Sequence, residues 1–138
     1  MADQSESRIL LVEDSPILQT RLVELLNEAG IMRVTAMVST ELEARHQMYA
    51  QDFDVLVVDV QLRQGTGFGV IADARVRWTV PPLPLIVVLT NYALPSVRRR
   101  CLAGGADYFL DKSRQFNQVP VLIRERRHQQ GSFPVAEH

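Results

Sequence analysis

Three carboxylates at the ends of two apolar runs are the residues of this 138-residue chain best placed to do chemistry. Glu13-Asp14 closes Ile9-Leu10-Leu11-Val12, and Asp59 closes Val55-Leu56-Val57-Val58. Two buried parallel strands ending in acids side by side form an anionic pocket at the carboxyl edge of a sheet, where open α/β sheets bind ligands. Clustered carboxylates stay ionised together only beside positive charge, so such a pocket should hold a divalent cation. The lone acid, Asp59, is then the one free to react. Two further run ends carry polar groups: Leu85–Leu89 ends in Thr90, and Tyr108-Phe109-Leu110 ends in Asp111-Lys112-Ser113. In a parallel sheet these should converge on the same pocket. Two metal-binding acids, an aspartate, a hydroxyl and an ammonium are what phosphoryl transfer needs, since its catalysis is mostly positioning and charge stabilisation. Mg²⁺ suits the acids, because it takes oxygen ligands and keeps several waters.

The elements that must position these groups follow from pattern. Ile9–Val12, Val55–Val58 and Leu85–Leu89 are short, continuous and rich in β-branched residues, as strands covered on both faces are. Val34–Val38 is less uniform and Tyr108–Leu110 very short, so both read as edge strands. Between them lie helical stretches. Ser15-Pro16 opens the first with an N-cap residue and a proline at the first helical position. Its apolar stripe is Leu18, Leu22, Leu25, Leu26 and Ala29, and Gly30 ends it. Further helices are predicted over Thr40–Ala50, over Phe68–Trp78, from Pro95 to Ala103 with Gly104-Gly105 as the stop, and from near Asn117, since Pro120 is tolerated only in a first turn. Five alternations of strand and helix predict a parallel sheet between helices.

Composition sets outer bounds. An apolar fraction of 46% with 22% charged residues is that of a globular domain. Fifteen Lys and Arg against 16 acids, a net charge of −1, give no case for a nucleic-acid or membrane partner. The single Cys101 cannot form an intrachain disulfide, which fits a reducing cytoplasm. Met1–Arg8 is polar and acidic rather than a signal peptide, and no apolar run approaches the ~20 residues of a membrane span. His46, His128 and His138 are too scattered for a metal site.

The ordered pieces Val-Glu-Asp at 12–14, Val-Asp at 58–59, Leu-Thr at 89–90 and Gly-Ala-Asp-Tyr-Phe-Leu-Asp-Lys at 105–112 resemble the receiver domain of two-component response regulators, from Arg8 to about Arg127. The resemblance implies a flavodoxin-like, doubly wound α/β fold: a five-stranded parallel sheet in order 2-1-3-4-5 with five helices. It implies Asp59 as phosphoacceptor and Mg²⁺ held by Glu13, Asp14 and Asp59 with the backbone carbonyl of Gln61. Thr90 and Lys112 would bind the phosphoryl oxygens, and Phe109 occupies the aromatic switch position with Thr90 as its trigger. The expected domain covers 8–128, with residues 1–7 disordered and a flexible tail over 129–138, unpatterned from Gly131 on. With no second globular segment, the chain is expected to be a stand-alone cytoplasmic receiver. Its partners would be a sensor histidine kinase or phosphotransfer protein and a downstream protein target, with a homodimer through the fourth helix, fifth strand and fifth helix. No nucleic-acid or membrane partner is expected.

Four positions depart from the family pattern. Arg63 and Ser113 stand where many receivers have proline, and Asn91-Tyr92 follow the threonine where a small residue is common. They surround the pocket mouth and bear on kinetics rather than chemistry. Relatives with Lys-Pro have a cis peptide there, but before serine cis costs ~2.5–4 kcal/mol, so a trans Lys112–Ser113 bond is expected. Taken singly, each site residue has a plainer reading. Glu13-Asp14 would be an acidic loop near a helix N-terminus, Thr90 a cap and Lys112 a solvated charge; together, at four strand ends of one sheet, the chemical reading is the stronger. Arg98-Arg99-Arg100 reads as a solvated helix face, Arg124, Arg126 and Arg127 as complements to a helix C-terminus, and Cys101 and Trp78 as packing residues. A phosphatase of the haloacid-dehalogenase type would want an acid two residues after its nucleophile, where Gln61 stands. A flavodoxin-like cofactor binder would want a phosphate-cradling loop after the first strand, where Glu13-Asp14 would repel phosphate. The remaining alternative is a receiver-like interaction module that does not use phosphorylation.

Overall fold

Successive side chains of a strand face opposite ways, and here both sets are apolar. Leu10, Val12, Leu56, Val58, Ile86 and Val88 point into one core with Ala44, Met48, Val70, Ile71, Ala74, Val97 and Cys101. Ile9, Leu11, Val55, Val57, Leu85 and Val87 point into the other with Leu22, Leu26, Val119 and Ile123. A sheet so made must be covered on both sides, and the computed structural model, which describes residues 5–136 (the last six as helix backbone), shows that it is. The order is β1 (Ser7–Val12), α1 (Pro16–Leu26), β2 (Met32–Val38), α2 (Glu41–Ala50), β3 (Val55–Val58), α3 (Gly67–Arg77), β4 (Leu85–Thr90), α4 (Pro95–Gly104), β5 (Tyr108–Asp111), α5 (Lys112–Gln115) and α6 (Gln118–Ala136). The five strands form one parallel sheet in order β2-β1-β3-β4-β5. The flavodoxin-like doubly wound sheet is therefore present, with β2 and β5 as its edges, α1 and α6 on one face and α2, α3 and α4 on the other. Among the described residues no helix is long and apolar enough to cross a membrane.

Local chemistry sets the helix starts. Ser15, Thr40 and Thr66 cap α1, α2 and α3, each side-chain oxygen accepting from a backbone N–H three residues on. Pro16 and Pro95 lie in first turns. Gly105 closes α4 at φ +118, a left-handed conformation that suits glycine.

Several boundaries differ from expectation. Among the described residues there are six helices, not five: Asp111 accepts from the Ser113 N–H and hydroxyl and starts the single turn α5 before the long α6. α1 stops at Leu26 rather than Gly30, because the Asn27 side chain turns to accept from Val34 N–H at 2.8 Å. Gly30, at φ +80, serves the following turn, and Ala29 is exposed. Order begins before residue 8. Ser7 is buried and donates its N–H to the Ile31 carbonyl, and Glu6 accepts from Gly30 N–H and Arg33 Nε, both at 2.9 Å. The disorder expected over residues 1–4 lies outside the described residues. At the other end α6 passes residue 128 and runs through the expected tail to Ala136. Gln129 and Gln130 are exposed, so they show no apolar periodicity, yet glutamine is a good helix former; residues 137–138 lie outside the description. Because α6 continues, Arg124, Arg126 and Arg127 do not sit at a helix end. They bond to Glu28, the Leu83 carbonyl and Ser7 respectively.

Candidate functional site

Register brings the acids together. Val12 pairs with Val58, and Asp59 N–H donates to the Val12 carbonyl at 3.0 Å, so Glu13 and Asp59 leave the sheet side by side. Thr90 pairs with Asp111 across β4 and β5, which delivers Lys112 to the same edge. The Lys112 ammonium donates to Asp59 Oδ2 at 2.7 Å and to Glu13 Oε1 at 2.8 Å. The three side chains are 6%, 9% and 2% exposed, so this triad is screened little by water. Burial works against the lysine charge, but the hydrogen bonds it donates to Asp59 and Glu13 outweigh it and hold its pKa above the ordinary value of 10.5.

The second oxygen of each acid also accepts one local hydrogen bond, which leaves lone pairs on both carboxylates. Glu13 Oε2 accepts from Ser15 N–H at 3.0 Å, and Asp59 Oδ1 accepts from Gln61 N–H at 3.3 Å. The Glu13 carbonyl accepts from Gln19 Nε2, which also reaches Ser39 Oγ. Gln19 is a support that sequence reading did not find; its polar position on the first helix gave no signal, because its partners are set by the tertiary approach of the β2–α2 loop.

The other expected site residues fall around this triad. Asp14 is half-buried beside Glu13. Thr90 is buried at the end of β4, and its Oγ1 accepts from Tyr92 N–H at 3.1 Å; no hydrogen bond joins it to Asp59. Gln61 begins the exposed loop after β3. Phe109 lies inward, 8% exposed, within the core that contains Val97 and Cys101 of α4. The Lys112–Ser113 bond is trans, as expected, since the cis peptide found among the described residues is Pro81–Pro82. The Ser113 N–H that proline would lack donates to Asp111 Oδ1, and the Ser113 hydroxyl holds the Asp111 carboxyl below its usual pKa.

The donors expected to face a cation are oxygens, from the carboxylates of Glu13, Asp14 and Asp59 and the Gln61 carbonyl, with no sulfur or imidazole among them. That set suits a hard ion. Among the described residues no three acids, histidines or cysteines are already grouped as a metal cluster. Mg²⁺ makes a modest demand, because it keeps several of its waters and binds through one or two carboxylates. The residues fit that ion.

A doubly wound parallel sheet with acids beyond two central strands and a lysine joined to them from an edge strand defines a flavodoxin-like protein with an acidic, lysine-bridged pocket at its carboxyl edge. The family profile for the response regulator receiver domain matches residues 9–124, and the chain belongs to that family. It is 32% identical over 120 residues to the transcriptional regulatory protein TcrA of Mycobacterium tuberculosis, covering 85% of this chain and 44% of that protein. It therefore spans less than half of that relative's length. The receiver domain of the sensor histidine kinase PA1611 from Pseudomonas aeruginosa, solved with a magnesium ion in its active-site cleft, superposes with a TM-score of 0.75 at 27% identity, over 90% of this chain and 99% of that one. A CheY-like receiver from Methanospirillum hungatei superposes with a TM-score of 0.78 over 91% and 97% of the two chains. At 22% identity it supports the fold alone.

Proposed function

We propose that this receiver takes a phosphoryl group on Asp59 from a phosphohistidine of a sensor kinase or phosphotransfer protein, and signals through protein contacts. The observation that carries this reading is the Lys112 ammonium held 2.7 Å from Asp59 Oδ2 in a buried pocket. An Asp59 oxygen attacks phosphorus, the P–N bond to the donor imidazole breaks, and the imidazole nitrogen regains a proton from solvent. Lys112 and Thr90 bind the phosphoryl oxygens as charge builds. Glu13, Asp14, Asp59 and the Gln61 carbonyl would hold Mg²⁺, which would supply the positive charge that lets an anionic donor approach a carboxylate. The protein contributes the acceptor and the pocket, so it is a switch more than an enzyme, and water later removes the group in the same place.

Output follows from charge. A phosphoryl group carries about −1.5 to −2 where Asp59 carried −1. Its oxygens draw the Thr90 hydroxyl away from Tyr92 N–H, and the loop into α4 follows. Phe109, already inward, stabilises the shifted loop by filling the space behind it. The face of α4, β5 and α6, with Tyr108 on β5 and Val121 on α6 exposed and Tyr92 and Leu94 exposed in the loop into α4, is the surface changed for a protein target or for a second copy in a homodimer. A histidine-kinase partner places the protein in the cytoplasm. A module indifferent to phosphorylation is disfavoured, because no position of the pocket has lost its chemical group.

The test is labelling. A small acyl-phosphate donor with Mg²⁺ should phosphorylate the chain on Asp59, chelation should stop the reaction, and Asp59→Asn should take no label. Full labelling of Asp59→Asn would sink the assignment.

A further inference from the structure

The loop from Gln61 to Thr66 is almost wholly exposed, with Leu62 alone half-buried. Burial cannot fix so open a segment, and it must be fixed, because it carries the carbonyl expected to face the metal. The first turn of α2 does the fixing. Thr40 and Gln64 form a parallel bridge, Glu41 N–H donates to the Gln64 carbonyl at 3.1 Å, and Thr66 N–H donates to Glu41 Oε1 at 2.9 Å. Two glycines shape the seat. A Cβ on Gly65, itself at φ +79, would lie 2.6 Å from Glu41 Oε1, and one on Gly69 would overlap the same carboxyl. The carboxylate lies at the N-terminus of α3, where the helix dipole favours negative charge. Arg45, one turn along α2, stands 3.8 Å from Glu41 Oε2 and bonds Asp73 of α3 at 3.0 Å, which steers the acid toward that helix.

The grip reaches the site in two steps. Thr66 pairs with Gln61 across an antiparallel bridge, and Gln61 N–H donates to Asp59 Oδ1 at 3.3 Å. Gly67 N–H closes the same loop on the Val60 carbonyl at 2.8 Å. We infer that Glu41 is a positioning residue of the Asp59 site: by holding Thr66 it fixes Gln61, and so sets how tightly Mg²⁺ binds. This rests on the function proposed above and adds to it a residue on another helix, outside the pocket.

The experiment is calorimetric titration of Mg²⁺ into the full chain and its Glu41→Ala and Glu41→Gln variants, with thermal melts and amide exchange in metal-free protein. Glu41→Ala should bind Mg²⁺ about tenfold more weakly, the scale for losing a residue that orients a ligand. Glu41→Gln keeps an oxygen that can accept from Thr66 N–H, so it should recover most of the affinity, which a merely stabilising role would not require. Exchange at the Gln61 and Thr66 amides should quicken in Glu41→Ala while β4 and α6 amides keep their rates. If Glu41→Ala melts too low to titrate, Gly69→Ala, which pushes a methyl into the carboxyl seat, should weaken binding in the same way. Unchanged Mg²⁺ affinity in the titratable variant overturns the inference and leaves the proposed function standing. An unaltered chain that binds no Mg²⁺ and takes no label removes the function itself, a result seen before any variant is made.

Discussion

Lys112 is the residue on which the pocket turns, and its charge has a signature in pH. Its pKa is raised in the folded protein, so its contribution to stability is complete below the ordinary value of 10.5 and is lost as pH rises through the higher folded value. Denaturation measured across that alkaline range should show the loss, and Lys112→Met should abolish that part of the slope. At neutral pH the same variant leaves two buried carboxylates without their shared cation, and should be less stable by about 3 kcal/mol in urea titration. Mg²⁺ should then stabilise Lys112→Met more than the unaltered chain. Tyr92 gives a kinetic prediction at this scale. It is half exposed and lies one residue beyond Asn91 at the pocket mouth, where an in-line water must approach. Tyr92→Ala should shorten the phosphoryl lifetime, and an unchanged or longer lifetime would count against steric shielding. The joining of Asp59, Glu13 and Lys112 was legible in the sequence because every carboxyl end of a parallel sheet lies on one edge. The Thr90–Tyr92 bond and the inward Phe109 were not, since both depend on loop and rotamer choices that no strand pattern encodes.

At the scale of elements, α4 is fastened at its end rather than its start, where Leu94 makes no side-chain cap. Arg75 of α3 bonds the Gly105 carbonyl at 3.1 Å through Nε, adding a positive charge at the helix C-terminus, where it is favourable. A Cβ on Gly105 would face a left-handed φ and stand 2.7 Å from Arg75 Nε. Gly105→Ala should therefore cost about 1–2 kcal/mol or more in urea denaturation. Strand positions and most helix starts were readable, because apolar runs and Ser, Thr or Pro at helix starts act locally. The early stop of α1 and the extra turn α5 were not. Asn27 and Asp111 end or begin helices by side-chain bonds whose geometry appears only once the strands are placed. The continuation of α6 past residue 128 was hidden by Gln129 and Gln130, polar residues that form helix without an apolar stripe, and then by Gly131 and Pro134, which disfavour helix.

For the whole molecule, charge and topology matter most. With a net charge of −1 over the sequence, residues 1–138 should show no appreciable binding to duplex DNA at physiological salt, measured by fluorescence anisotropy. Tight binding by this chain alone would contradict an output made through protein contacts. The topology has a consequence in time. Lys112 lies 53 residues after Asp59 and 99 after Glu13, on the far side of the last strand. As the chain leaves a ribosome, the acids emerge early and their cation late. Until β5 docks, Glu13 and Asp59 face each other without that ammonium, and β4 has an open edge. On the proposed function, a half-made copy would lack the ammonium that completes the acceptor pocket, and competence would be acquired only once synthesis has passed β5.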